Sequence, residues 1–361
     1  MKKRRLLTII RVSCLVLVMV CAVALSPNAS QADVIKLKAA TYFSPAQPLG
    51  KGFTMFLDKV MERSNGQVKI QSFMGGSLLG PKDIYDGVVQ GTVDIGLTMP
   101  GYNSGKFPEM EIVEVPHGYV SSFVSSHVAN DYFNKYDPKG FSETKMMYWF
   151  ASPPSVIILN KPAKTIADLK GLKIRGTARI GEVVSCLGAI PTSAPAGEVY
   201  TNISRNVMDG IMWPISTLDE WKLADLKPKI TNCWQVGGVF AFYTVMNKDT
   251  WNKLPSNIQK IFMEVAEEMI TKHAAFYDGA DLKGYAMGQS AAAEVFNLSK
   301  EDINKAIKMI QPVADKWVSG MVEKGFKAED LKARDQFLWD RAKYWAAKQK
   351  ELGIEAIPGR L

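Results

Sequence analysis

T-I-A-D-L-K-G-L-K-I-R, residues Thr165 to Arg175, packs a helix start, a helix stop and a strand end into one short run. Thr165 and Asp168 form the T-x-x-D variant of a capping box, which predicts a helix starting at Thr165. Gly171 is a helix stop, and Leu172-Lys173-Ile174 alternates like a strand leading into Arg175. Gly176 follows, and a second helical pattern runs from about Ile180 to Leu187. An arginine at such a strand end, beside a cleft, can grip a carboxylate through two parallel N–H···O bonds. An arbitrary arginine is more often a solvated surface residue, so the reading depends on what surrounds this one.

Towards the N-terminus the chain alternates strand and helix patterns. Val34 to Ala40 alternates apolar and basic residues, Phe53 to Met61 has helical spacing, and Val68 to Phe73 alternates again after the Asn65-Gly66 turn. Gly75 to Pro81 reads as a loop, followed by a helix to Gln90, a stop at Gly91 and a strand at Thr92 to Leu97. A βαβαβ rhythm implies a parallel or mixed sheet flanked by helices, with ligands at the carboxyl ends of strands. Those ends carry Tyr42 and Phe43, Phe73 and Met74, and Met99 and Tyr102.

Towards the C-terminus a second unit is expected to begin near Pro153. It includes strand-like Ile190 to Thr192, a helix from about Gly197 to Ser204, and a strand end at Asp209 to Pro214 that presents Trp213. Phe240 to Met246 reads as a strand. From Pro255 the chain turns helical, with an S-x-x-Q box at Ser256 and Gln259 and apolar spacing past Ala275. Further helices are expected from Ser299 and over Glu329 to Lys348.

Residues 1–32 read as a cleaved export signal. Lys2, Lys3, Arg4 and Arg5 precede an apolar run of 14 residues, Val12 to Leu25, and Ser30-Gln31-Ala32 fits a cut before Asp33. The run is short for a membrane span, and Cys14 and Cys21 do not sit in a lipobox-like context. Removing 32 residues from 361 leaves 329, enough for two lobes, and lowers the formal charge from +8 to +3 because five basic residues leave with the leader. That charge, without a basic stripe, gives no case for nucleic acid. Cys186 and Cys233 remain. An exported compartment permits a disulfide between them, but the apolar helical setting of Cys186 favours two separate thiols.

No catalytic constellation emerges. His117, His127 and His273 lack metal-binding spacing, no G-x-S-x-G elbow occurs, and G-G-S-L-L-G lacks the ending of a phosphate loop. No cofactor and no metal site is expected.

The order and spacing of five segments resemble the DctP family, the extracytoplasmic solute-binding proteins of TRAP transporters. They are Gly75 to Gly96, D-L-K-G-L-K-I-R (Asp168 to Arg175), L-G-A-I-P-T (Leu187 to Thr192), E-V-Y (Glu198 to Tyr200) and the M-D-G…P turn (Met208 to Pro214). The resemblance implies an α/β fold of two lobes, a cleft that closes on ligand, and a long helix spanning both lobes. On it we expect one lobe from 33–152 plus about 239–278, a second from 153–238 plus about 279–330, and a C-terminal helix and tail over 331–361. It also implies periplasmic capture of a small organic acid, delivery to one small and one large membrane subunit, and a carboxylate contact at Arg175. A monomer is expected.

The sequence departs from the family's common pattern at two places. Phe150 to Asn160, F-A-S-P-P-S-V-I-I-L-N, has no arginine where many members carry one, and Ser155 stands near that place. Trp213 precedes the proline where many members have a polar residue, and Met146 to Phe150 adds aromatics including Trp149 and Phe150. These departures predict one carboxylate clamp and an aromatic wall, hence a monocarboxylate with an apolar or aromatic body. The candidate ligand-binding residues are Arg175, Trp213, Tyr102, Met99, Trp149, Phe150, Ser155, Phe240, Tyr42 and Phe43. Ordinary core packing is an equal alternative for Trp149 and Trp213. Arg179 is a spare anion contact, though a solvated role is more ordinary for it. The rival readings are a ligand sensor for a membrane signalling protein and a periplasmic enzyme.

Overall fold

The computed structural model describes residues 34–361 apart from 104, 291 and 292, so the expected export signal lies outside the described residues. The chain runs β1 (Ile35–Thr41), α1 (Pro48–Arg63), β2 (Val68–Phe73), α2 (Ile84–Val89), β3 (Ile95–Thr98), α3 (Ser122–Tyr136), β4 (Thr144–Ala151) and β5 (Val156–Leu159). It continues through β6 (Lys173–Arg175), α4 (Ala178–Cys186), β7 (Ile190–Thr192), α5 (Val199–Ser204), β8 (Gly210–Trp213), α6 (Thr217–Glu220), β9 (Lys229–Asn232) and β10 (Ala241–Asn247). It ends with α7 (Lys248–Lys253), α8 (Ser256–Gly288), β11 (Glu294–Asn297), α9 (Lys300–Glu323) and α10 (Ala328–Glu351).

Two mixed sheets result. The first has the order β2-β1-β3-β10-β4 and the second β11-β9-β5-β8-β6-β7. In the first, β1 and β3 are parallel and β10 inserts antiparallel between β3 and β4. In the second, β6 is parallel to both β7 and β8. The apolar faces of both sheets are buried, which is the dominant stabilising contribution in a chain of this size.

Two backbone crossings join the sheets side by side. Residues 152–155 lead from β4 to β5, and 233–240 lead from β9 back to β10. Ser155 N donates to Gly238 O at 3.1 Å, and Ser152 N to Phe240 O at 2.9 Å. The crossings lie so close that a Cβ on Gly237 would stand 2.0 Å from Ser155 O, and a Cβ on Gly238 would stand 2.3 Å from Glu114 O in the segment before α3. Glycine is required there by contact, not by turn geometry.

Helix α8, 33 residues long, is the third connection. Its middle packs on α1, where Gly52 lies against His273, and its end packs on the second sheet, where Gly284 approaches Ile215 O. Two acids one turn apart tie it to both sides. Asp278 accepts the N–H groups of Ser122 (2.6 Å) and Phe123 (2.9 Å) at the start of α3. Asp281 accepts Ser216 N at 3.2 Å and pairs with the buried Arg360 at 3.0 Å.

Two local expectations are corrected and a third is met. The Thr165–Asp168 box forms, but the turn it starts, Ile166–Leu169, is 3-10 and not α-helical, because only a few residues separate it from the Gly171 turn. The Ser256–Gln259 box does not form. Pro255 is the N-cap, and the Gln259 amide donates to Trp251 O at 2.8 Å instead. Cys186 and Cys233 are both free thiols, the first half-buried and the second buried, so the two-thiol alternative describes this structure.

Candidate functional site

The strand ends converge. β1 hands on to Tyr42 and Phe43, β3 to Met99 and Tyr102, β6 ends at Arg175 and β8 at Trp213. These six residues line one cavity of about 140 Å³ between the two sheets, at the carboxyl ends of parallel strands. Gln47 and Leu49 at the start of α1, Phe242 of β10, Glu220 and Trp221 at the end of α6, and Tyr277 of α8 complete the lining.

Arg175 is 4 % exposed. Its Nε donates to Ala194 O at 2.8 Å, which fixes the plane of the guanidinium. Its Cζ lies 4.9 Å from the Trp213 ring centroid and 5.7 Å from that of Trp221. Nη1 is buried with no hydrogen-bond partner. Burial pulls the Arg175 pKa down, with the phenols of Tyr102 and Tyr42 opposing, yet a guanidinium stays charged in this setting. A buried cation with an open donor is costly until an anion meets it.

Tyr42 and Tyr102 meet edge to face with centroids 5.1 Å apart. Burial raises both phenol pKa values, while the Arg175 charge opposes the shift at Tyr102. Both are therefore neutral O–H donors near neutral pH. Glu220 is the cavity's acid. Burial pushes its pKa up to about 7, with the neighbouring Ser216 hydroxyl opposing and Asp281 and Asp219 adding to the shift, and its Oε1 is buried without a partner.

Four expected residues do not line the cavity. Trp149 sits in the core beneath α3, with Phe133, Phe141 and Tyr243 at 5.9, 5.3 and 5.4 Å. Phe150, its neighbour on β4, points to the opposite face and stacks on His273 at 3.6 Å and on Phe242 at 5.0 Å, one layer behind the wall. Phe240 stacks on Trp213 at 3.7 Å and supports it. Ser155 belongs to the crossing, where its hydroxyl donates to Gly238 O at 2.9 Å. Arg179 is paired with Glu111 at 2.6 Å and Glu182 at 3.0 Å, so it is not a free anion contact.

The sequence pattern did not point to Gln47, Leu49, Phe242, Glu220, Trp221 or Tyr277. Two signals were available. One was the acid Glu220 shortly after Trp213-Pro214; the other was Asp278 and Asp281 interrupting the apolar face next to Tyr277. A larger cavity, about 450 Å³, lies between α9, α10 and the segment around Trp234. Its Asp335 is already bonded to His117 at 2.9 Å, and it carries no cation comparable to Arg175. Among the described residues no group of three or more His, Cys, Asp or Glu could hold a metal, and no helix is long and apolar enough to cross a membrane.

Comparison with known proteins agrees with this geometry. The family of bacterial extracellular solute-binding proteins, family 7 (DctP), matches residues 39–320. A monocarboxylate 2-oxoacid-binding periplasmic protein of Nostoc sp. is 26 % identical over 330 residues, covering 86 % of this chain and 87 % of that one. A TRAP periplasmic solute-binding protein of Desulfovibrio salexigens, solved open with a symmetry mate's C-terminus in its ligand site, superposes with a TM-score of 0.78. It is 27 % identical and covers 87 % of this chain and 97 % of its own. A TRAP solute-binding protein of Rhodoferax ferrireducens, solved with copurified benzoate, shares the fold with a TM-score of 0.80. It is 24 % identical over 87 % of this chain and 100 % of its own. The family match over residues 39–320, on a fold with a long helix and a cavity at the strand ends, places this chain in the DctP family, as a periplasmic solute-binding protein of a TRAP transporter.

Proposed function

We propose that the cleft captures a small monocarboxylate with an aromatic or branched apolar body and delivers it to the membrane subunits of its transporter. The carrying observation is Arg175: a buried guanidinium with an unpaired Nη1, the one Lys or Arg among the cavity-lining residues, set against Trp213 and Trp221. One cation matches one carboxylate. A second carboxylate would be left desolvated among aromatic rings, which costs more than the burial returns. The cavity is smaller than the roughly 300–1,000 Å³ typical of drug-sized ligands, in keeping with a ligand of about one ring. The Nostoc protein named for monocarboxylate 2-oxoacids and the benzoate held by the Rhodoferax protein support the same class.

In this reading residues 33–152 with about 239–278 form one lobe and 153–238 with about 279–330 the other. The crossings at 152–155 and 233–240 serve as the hinge, residues 1–32 direct export, and the protein works as a monomer. Calorimetry with aromatic and branched monocarboxylates, dicarboxylates and neutral analogues tests it. Arg175→Ala is expected to weaken acid binding by about 10- to 100-fold, the worth of a charge-assisted hydrogen bond. Tight binding confined to dicarboxylates, or full affinity in Arg175→Ala, would overturn the assignment.

A further inference from the structure

We propose that Glu220 is a second polar anchor of this cleft and that the transported acid carries a neutral hydroxyl in addition to its carboxylate. The inference rests on the monocarboxylate reading of Arg175 and narrows it. A pocket for a wholly apolar body would be served better by leucine at this position. Instead the end of α6 presents a carboxyl group into the cavity, with Oε1 buried and unpartnered. Leaving a buried polar atom unmet is unfavourable, and a ligand O–H would meet it.

The groups around Glu220 define its charge state. Asp219, beside it on α6, pairs with Lys283 at 2.7 Å. From α8, Asp281 pairs with Arg360 at 3.0 Å, and Tyr277 contributes a phenol held neutral by burial. From β6, Arg175 lines the same cavity, and in the proposed complex it is taken by the ligand carboxylate. An ionised Glu220 would then add a second negative charge to a desolvated cavity lined by one cation, so the binding form is the protonated one. A neutral carboxyl offers an acceptor and an O–H donor and can bond a hydroxyl either way. Because burial already brings its pKa to about 7, ligand binding should take up protons above that pH.

Two consequences are measurable by calorimetry with the pairs 3-hydroxybenzoate and benzoate, and mandelate and phenylacetate. A site built to bond a hydroxyl discriminates against the analogue lacking it, so at least one hydroxylated member should bind about tenfold or more tighter than its partner. Wild-type affinity should fall from pH 6 to pH 8.5, approaching tenfold per unit at the upper end as Glu220 ionises. Glu220→Gln keeps the shape and the bonding groups; it should retain the hydroxyl preference and flatten the pH profile. Glu220→Leu should lose the preference and bind the unhydroxylated acid at least as well. Retained preference in Glu220→Leu, or a flat wild-type profile, overturns the proposal. So does an affinity that rises with pH. Arg175→Ala keeps the two readings apart. Unchanged affinity there overturns the carboxylate clamp, whereas lost affinity there with a Glu220→Leu ratio unchanged overturns the Glu220 role alone. Absence of binding to these four acids and to branched monocarboxylates with and without a hydroxyl by the wild type overturns both.

Discussion

The molecule contains two aromatic nests that look alike in sequence and differ in what they leave unpaired. The first surrounds Trp149 on β4. Phe107 and Phe141 stack at 4.3 Å, and Tyr243 lies within 5.1–5.5 Å of Phe107, Phe141 and Trp149. The second surrounds Trp213 on β8, stacked on Phe240 at 3.7 Å with the Arg175 guanidinium 4.9 Å from its centroid. Both nests hold buried polar atoms without partners. In the first these are the Trp149 indole N–H and the Tyr243 hydroxyl, which are neutral. In the second they are Arg175 Nη1 and Glu220 Oε1, which belong to ionisable groups. Aromatic density therefore does not mark the site. A buried charge without a counter-charge does, because its desolvation is repaid by a ligand of opposite sign.

The largest expected effect tests the first nest. Trp149→Ala empties a fully buried position and should cost about 3–5 kcal/mol of stability in urea unfolding. Acid affinity of the remaining folded protein should stay within a few-fold of wild type. Weakened binding at unchanged stability would mean that Trp149 faces the ligand after all and that the contrast is wrong. Trp213→Ala should invert this pattern. Trp213 is half-buried, so its removal should cost less stability, while losing the wall and a desolvated cation–π partner of about 2 kcal/mol should weaken acid binding by about tenfold or more. Equal losses of stability and binding in both variants would erase the distinction between the nests.

The sequence carried some of this contrast and hid the rest. Arg175 was legible because everything that places it is local: the Thr165–Asp168 turn, Gly171 and a three-residue strand lie within the same short run. Tyr42, Phe43, Met99 and Tyr102 were legible because alternation located the ends of β1 and β3. Trp149 and Trp213 could not be separated, since each stands in an apolar strand and the deciding neighbours, Tyr243 and Arg175, are remote in the chain. Ser155 was misjudged because its role depends on a crossing 83 residues away. The apolar spacing carried α8 past Ala275 but did not give its end at Gly288. Gly284 and Gly288 are small there because Ile215 and Ile230 press against the helix. Tyr277 and Glu220 could not have been assigned to the cavity without that helix in place.

The smallest effects sharpen the comparison at a single oxygen. Tyr243 and Tyr102 are both tyrosines whose hydroxyls burial holds neutral. The Tyr243 hydroxyl has no partner in the first nest, so Tyr243→Phe removes an unsatisfied group without opening a cavity. It should leave stability unchanged or raise it by up to about 1 kcal/mol, with binding unaltered. The Tyr102 hydroxyl faces the Arg175 charge across the cavity that the acid is to fill. Tyr102→Phe should leave the unfolding midpoint within error and weaken acid binding by a few-fold, in line with one lost hydrogen bond of about 1 kcal/mol. If Tyr243→Phe instead destabilised the protein and Tyr102→Phe bound acid normally, the unpaired atoms of the core would matter and those of the cleft would not. The criterion that separates the two nests would then fail at its finest resolution.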